Sequence, residues 1–376
     1  MTAPQGSATL QAGTLKWSVS HSHIPVESLC RFGTRRSRRR GFVFLSTVLG
    51  KHIPVVPSMV FANQKELAAR LPKSENVVFV GLAETAIGLA QGVFEAYLEQ
   101  HPNSCALFTH TTRHQLAESP WYNSQEPHSH APDHLGYGFK PNLCEKAQQA
   151  RTLVLVDDEI STGTTLLGLA EALRQRLPAI EHVVLACLTD WSGPAGHARF
   201  AAAGASVVAL CHGSYSFEPN PDYQPDAAPD ARGASLCLEG SILKNHGRVG
   251  RSNSLPECSL TPADLAIPPN STILVLGTGE FLHAPLRLAL AWERAGYRVL
   301  FQSTSRSPLA LGDGIGSVRH VSDHYGDGAP YYIYNHESAG ADRIVVCHET
   351  PNTPVIENPG CPVICVRFGE DGTCVR

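Results

Sequence analysis

Residues 153–177 constrain the fold more than any other stretch. Leu153 to Val156 is an apolar, β-branched run that reads as a buried strand. Two carboxylates, Asp157 and Asp158, follow at its C-terminal end. Next comes a small hydroxyl- and glycine-rich run, Ser161-Thr162-Gly163-Thr164-Thr165. Helical spacing then sets in, with Leu166, Leu169, Ala170, Leu173 and Leu177 on one face. This strand–loop–helix order builds an anion cradle. The first turn of a helix has N–H groups without intrahelical partners, and its dipole favours negative charge. The hydroxyls add donors, Gly163 lets the backbone approach closely, and the acidic pair is placed to accept hydrogen bonds from a sugar diol.

The same alternation runs through the chain. Strand-like runs fall at 77–80, 105–109, 153–156, 183–188 and 206–210, with helical patterns at 85–99, 164–177 and 196–203. This predicts an α/β fold, a doubly wound parallel sheet covered on both faces. A Pro- and Asp-rich stretch begins at 218 and ends the pattern, and a second one starts near 269 with strands at 272–276, 297–302 and 343–347. The expected organisation is a poorly ordered extension over 1–30 and a first domain over 31–215. A linker over 216–268 then leads to a second, smaller α/β domain over 269–376.

Composition narrows the class. Hydrophobic content of 43% and charged content of 17% fit a folded globular chain. A net charge of −4 argues against nucleic acid as a partner. No apolar run is long enough to span a bilayer, and no secretory leader pattern opens the chain. The eleven cysteines are odd in number and lack C-x-x-C spacing, which points to a reduced, cytoplasmic setting. The sequence leaves a homodimer open.

Residues 153–165 resemble the phosphoribosyl-pyrophosphate (PRPP) motif of type I phosphoribosyltransferases. The resemblance implies that Asp157 and Asp158 hold the ribose hydroxyls and Mg²⁺, and that Ser161, Thr162, Gly163, Thr164 and Thr165 hold the 5′-phosphate. Two positions depart from the motif. Hypoxanthine/guanine-type members carry an Asp where Ser161 stands, so a 6-oxopurine acceptor does not follow. Glu159 stands at a usually apolar position, as a solvated turn carboxylate or a substrate contact. The turn Gly81-Leu82-Ala83-Glu84 follows a strand and would bind pyrophosphate, although many α/β turns look alike. Arg113 would pair with pyrophosphate oxygens. Residues 111–139 are expected to form a mobile lid. His128, His130 and His134 in it read as substrate contacts, a transition-metal site or plain loop. The basic block Arg31, Arg35, Arg36 and Arg38 to Arg40 reads as a solvated face, a phosphate contact or a nucleic-acid contact.

In the second domain the turns 277–280 and 304–308 present amides, hydroxyls and Arg306 on one edge, as a separate anion site. Together with Lys51-His52, the Thr-Thr-Arg loop, Tyr334-Asn335 and His348-Glu349, they resemble phosphoribosyltransferases followed by a TRSP domain. That family is associated with bacterial tellurite-resistance genes. The resemblance covers roughly 30–210 and 270–366. It implies a phosphoribosyltransferase that uses PRPP and Mg²⁺ to ribosylate a small nitrogenous acceptor, with release of pyrophosphate, in making a nucleotide-like metabolite. The rival expectation is a PRPP- or nucleotide-sensing regulator without turnover.

Overall fold

The computed structural model describes residues 4–37, 40–116, 119–125, 133–226, 245–369 and 374–375. Strands Asn76–Gly81, Cys105–His110, Thr152–Val156, His182–Asp190 and Ala205–Pro219 lie parallel. Their spatial order is 205–219, 182–190, 152–156, 76–81, 105–110. One face packs Phe79 and Phe108 under helix Ile87–Gln100; the other packs Leu153 and Leu155 under helix Thr164–Arg176. Burial on both faces is why these strands read as continuous apolar runs. Thr152–Val156 is central among the parallel strands, so its C-terminal end delivers the acidic pair to the middle of the sheet edge.

Residues 4–30, expected within a poorly ordered extension, hold regular structure. Strands Gln5–Leu10 and Gly13–Ser22 form a hairpin that joins the main sheet antiparallel to 205–219. Leu15 and Val19 are buried while Lys16 and Ser20 face outward. This is a half-buried strand's period-two pattern.

Strands Arg298–Ser303, Thr272–Gly277, Arg343–His348 and Val363–Phe368 form a second parallel sheet in that order, with Cys374–Val375 antiparallel at its edge. The two sheets share packing. Val55 and Val60, early in the chain, are buried with Phe281, Trp292 and Phe301. Val55 and Phe301 also exchange backbone hydrogen bonds of 3.0 and 2.8 Å. Part of the stretch expected as linker is equally bound in. The Gln91 side chain donates to the His246 carbonyl at 2.6 Å, and Arg251 exchanges backbone bonds with Phe108. Residues 227–244 of that stretch lie outside the described residues.

Candidate active site

The C-terminal ends of the central strands open into a cavity of about 930 Å³. Asp157, Asp158 and Ser161 to Thr165 line one side of it. Gly163 caps helix 164–176 in the left-handed region, φ +68°. A Cβ there would meet the Phe200 ring at 2.5 Å, so both the conformation and the contact require glycine. Gly163 brings no capping side chain of its own, and the Thr164 amide lies 3.5 Å from Thr162 Oγ1 at this helix start, which faces the cavity. Burial and the neighbouring Glu159 push the Asp158 carboxyl up to about 6, against the opposing pull of Asp157 and Arg40.

Glu159 is neither solvated nor loose. Its Oε1 accepts from Arg40 at 2.6 Å. Its Oε2 is buried without a hydrogen-bond partner, on a residue that lines the cavity. Arg40 in turn lies over the rings of Phe42 and Phe44, 4.8 and 5.8 Å from their centroids. With Tyr215 these rings make an aromatic wall. The wall was missed in the sequence, although Phe42 and Phe44 alternate in the strand Phe42–Ser46 that follows the basic block. Of that block, Arg35 and Arg40 line the cavity, while Arg38 and Arg39 lie outside the described residues.

The turn after strand 76–81 divides its residues between two roles. Leu82, Ala83 and Glu84 line the cavity; Gly81 does not. A Cβ on Gly81 would meet the Ala90 Cβ at 2.6 Å, so this glycine serves helix–strand packing. The Leu82 amide donates to the Val156 carbonyl at 3.0 Å and the Ala83 amide to Thr111 Oγ1 at 2.9 Å. These two N–H groups are therefore spent inside the protein, and what this side offers an anion is side chains. Arg113 lines the cavity, its guanidinium 3.3 Å from the Ala83 carbonyl. Lys51, 3% exposed, pairs with Glu84 at 2.5 Å.

The second sheet reaches into the same cavity. Ser305, Arg306 and Ser307 line it beside Lys51 and His52. Arg306 stands 3.6 Å from Glu84 and 2.7 Å from Asp327, and its Nε has no hydrogen-bond partner. Burial opposes its charge, but Tyr331, Asp327 and Glu84 outweigh it and keep the guanidinium protonated. His52, with Nε2 3.3 Å from Ser305 Oγ, is lowered to about 3 by burial, Lys51 and Arg35, and so is neutral. Tyr334 and Asn335 support this corner: Tyr334 donates to the Ser307 carbonyl at 2.7 Å and Asn335 to the His52 carbonyl at 3.1 Å.

This placement corrects the expectation of a separate anion site in the second domain. Arg306 belongs to the main cavity. The turn 277–280 does not offer its groups to a ligand. The Gly279 amide donates to Thr304 Oγ1 at 2.8 Å, and Glu280 is buried, accepting from Thr112 Oγ1 and the Arg113 amide, both at 2.6 Å. Glu280 also faces Arg248, which makes two bonds of 2.8 Å to Glu349. The expected lid is anchored at its ends. Thr112 and Leu135 exchange backbone bonds, and strand Tyr122–Gln125 pairs with Asp133–Gly136. His134 is buried, 3.2 Å from Thr111 Oγ1, and lines the cavity. His128 and His130 lie outside the described residues. Among the described residues no helix is long and apolar enough to cross a membrane.

Comparison with known proteins agrees on both halves. A family described as phosphoribosyl transferase matches residues 29–214, and the TRSP domain found C-terminal to it matches 252–358. No curated protein matches the sequence. Solved structures similar to the chain include adenine phosphoribosyltransferase from Trypanosoma brucei (10% identity, 56% of this chain and 87% of that one, TM-score 0.34). Another is adenine phosphoribosyltransferase from Thermoanaerobacter pseudethanolicus (12%, 49% and 96%, 0.33). A third is orotate phosphoribosyltransferase from Aeropyrum pernix (16%, 46% and 78%, 0.28).

Proposed function

Because the chain belongs to the phosphoribosyl transferase family that carries a C-terminal TRSP domain, we propose that it transfers the phosphoribosyl group of PRPP to a nitrogenous acceptor and releases pyrophosphate. The observation that carries this reading is one cavity with three chemically distinct sides. The acidic pair and the hydroxyl-rich helix start suit a ribose 5-phosphate. Lys51, Arg113 and Arg306, set against Glu84 and Asp327, suit a diphosphate. The aromatic wall of Phe42, Phe44 and Tyr215 suits a flat acceptor.

Asp157 and Asp158 supply hard oxygen donors of the kind Mg²⁺ prefers, and would hold it against the ribose hydroxyls and diphosphate. When bound, the ion would neutralise charge on the leaving diphosphate. The chain's own residues do the rest. Cleavage at C1 passes through an oxocarbenium-like state, whose positive charge the two carboxylates screen. Lys51, Arg113 and Arg306 receive the negative charge that builds on the departing pyrophosphate. Ser161 offers no base, but the unpartnered Oε2 of Glu159 is placed to accept an N–H of the acceptor beside the aromatic wall. The ten cysteines among the described residues are free, which supports a reducing, cytoplasmic setting.

Calorimetry with PRPP and Mg²⁺ tests the binding half. Each lost charge-assisted bond is worth about 1.5–3 kcal/mol, so Asp158→Asn should weaken binding roughly tenfold or more. Unchanged affinity in a folded variant sinks the assignment. Pyrophosphate release with a panel of nitrogenous bases and cell extract tests the chemical half. PRPP binding with no release under any acceptor would favour the sensing regulator, the reading that the serine at position 161 keeps open.

A further inference from the structure

A second cluster of chemistry lies outside the cavity lining, at the C-terminal end of strand His182–Asp190. Asp190, 1% exposed, points Oδ2 at two imidazoles: His197 Nε2 at 2.5 Å and His212 Nδ1 at 3.0 Å. Its other oxygen, Oδ1, is already held by the Ser192 hydroxyl at 2.6 Å and the Ser192 amide at 3.0 Å. The three donor atoms lie within 4.8 Å of one another. They come from three different elements: the strand end, helix Gly193–Ala202 and strand Ala205–Pro219.

We propose that Asp190, His197 and His212 form a binding site for a divalent transition ion of the Zn²⁺ type. Two imidazoles and one carboxylate with open positions are a donor set that such ions prefer, and Mg²⁺ does not. The Ser192 contacts are the outer-shell bonds that aim a ligating carboxylate, leaving one oxygen for the ion. Bond lengths of about 2.0–2.1 Å at tetrahedral angles place donors about 3.3 Å apart. The His212 contact is near that spacing already, and the His197 contact must open. His197 can do so because its side chain is 46% exposed, which also gives an ion access. Each ring nitrogen becomes a ligand once its proton moves to the other ring nitrogen or to solvent. His21, paired across the strands with His212, and His23 put their Nε2 atoms 3.1 Å apart beside this site. They make the whole edge imidazole-rich.

The site has a mechanical connection to the phosphate loop. Helix 193–202 carries Phe200, whose ring lies against Gly163, and Arg199, which donates to the Thr162 carbonyl. Asp190 is also the register partner of Ile160, next to Ser161. An ion joining His197 to Asp190 and His212 therefore clamps the helix that buttresses the 5′-phosphate cradle. This site does not depend on the phosphoribosyl reading, since none of its three ligands lines the cavity.

The test is Co²⁺ and Zn²⁺ binding to the full chain with thiols and PRPP absent. One ion should bind, with Co²⁺ showing visible d–d absorption and no near-ultraviolet thiolate charge-transfer band. His197→Ala and His212→Ala, checked as folded by circular dichroism, should each weaken binding by about a hundredfold, and Ser192→Ala by about tenfold. Asp157→Asn should leave it unchanged. Zn²⁺ should slow amide exchange at residues 161–164 in the native protein and not in His197→Ala. Absence of tight binding, a thiolate band, binding unchanged in both histidine variants, or loss in Asp157→Asn each overturns the proposal.

Discussion

Replacing Arg248 by methionine tests how far buried charge locks the two sheets together. Arg248 is 1% exposed, Glu280 3% and Glu349 0%. The guanidinium reaches Glu349 through two bonds of 2.8 Å and Glu280 at 3.0 and 3.1 Å. Methionine keeps much of the stem volume and leaves two buried carboxylates without their cation. Breaking a buried pair in this way costs about 3–5 kcal/mol. Neutral donors remain: Tyr325 Oη at 2.9 Å on Glu349, and Thr112 Oγ1 and the Arg113 amide at 2.6 Å on Glu280. They place the loss at the lower end, about 3 kcal/mol. The pH dependence carries the sign. In the native protein Arg248 overcomes burial and holds Glu349 at about 2, and His114 and Arg248 hold Glu280 lower than an ordinary carboxyl. That stability is present above the unfolded carboxyl range and is lost only as pH falls through the folded values. In the variant burial is opposed only by these neutral donors and the neighbouring histidines, so both carboxyls shift upward and take up protons on folding more readily. The variant therefore gains stability between pH 8 and pH 5. Denaturant midpoints at the two pH values should show a deficit of about 3 kcal/mol at pH 8 that narrows at pH 5. A deficit under about 1 kcal/mol, or one that does not narrow, refutes the reasoning.

Three further outcomes are expected. PRPP–Mg²⁺ affinity should rise with pH through about 6, because burial and Glu159 delay ionisation of Asp158 to that point; Asp158→Asn should flatten the profile, and a native profile flat from pH 5 to 8 counts against it. Gly163→Ala adds a Cβ at 2.5 Å from Phe200 with φ at +68°, which costs about 1–2 kcal/mol per residue; in thermal melts and PRPP titrations both stability and affinity should drop, and retained affinity removes this loop from phosphate binding. Glu159→Gln should leave PRPP affinity within about twofold and slow turnover by about 10²-fold in steady-state assays with a working acceptor; unchanged turnover removes Glu159 from acceptor handling.

The strand–loop–helix unit at 153–177 was legible because all its parts are contiguous, so spacing alone fixes their relation. The parallel strands were legible for a similar reason: burial on both faces writes itself as unbroken apolar runs. The hairpin at 5–22 was hidden, because one side of it is solvated and its alternation is diluted by Ser and His. Arg248 sits in a stretch with no periodicity, and its partners lie 32 and 101 residues away. The placement of Arg306 in the main cavity was illegible for the same reason, since it depends on how two sheets pack through Val55, Val60 and Phe301. The turn 304–308 read as anion chemistry, but to which cavity it belonged was a question of tertiary distance.

Glu84 stands with Lys51 on one side and Arg306 on the other, one cation from each half of the chain. Neither half is then a module in the genetic sense. A graft of the first half onto another partner would leave Glu84 with a single counter-charge and Val55 and Val60 bare. A graft of the second would carry a buried arginine with half its anions missing. Recombination within this lineage should respect the pairing, with the two parts gained, lost and retuned together, and changes at position 84 answered at position 306.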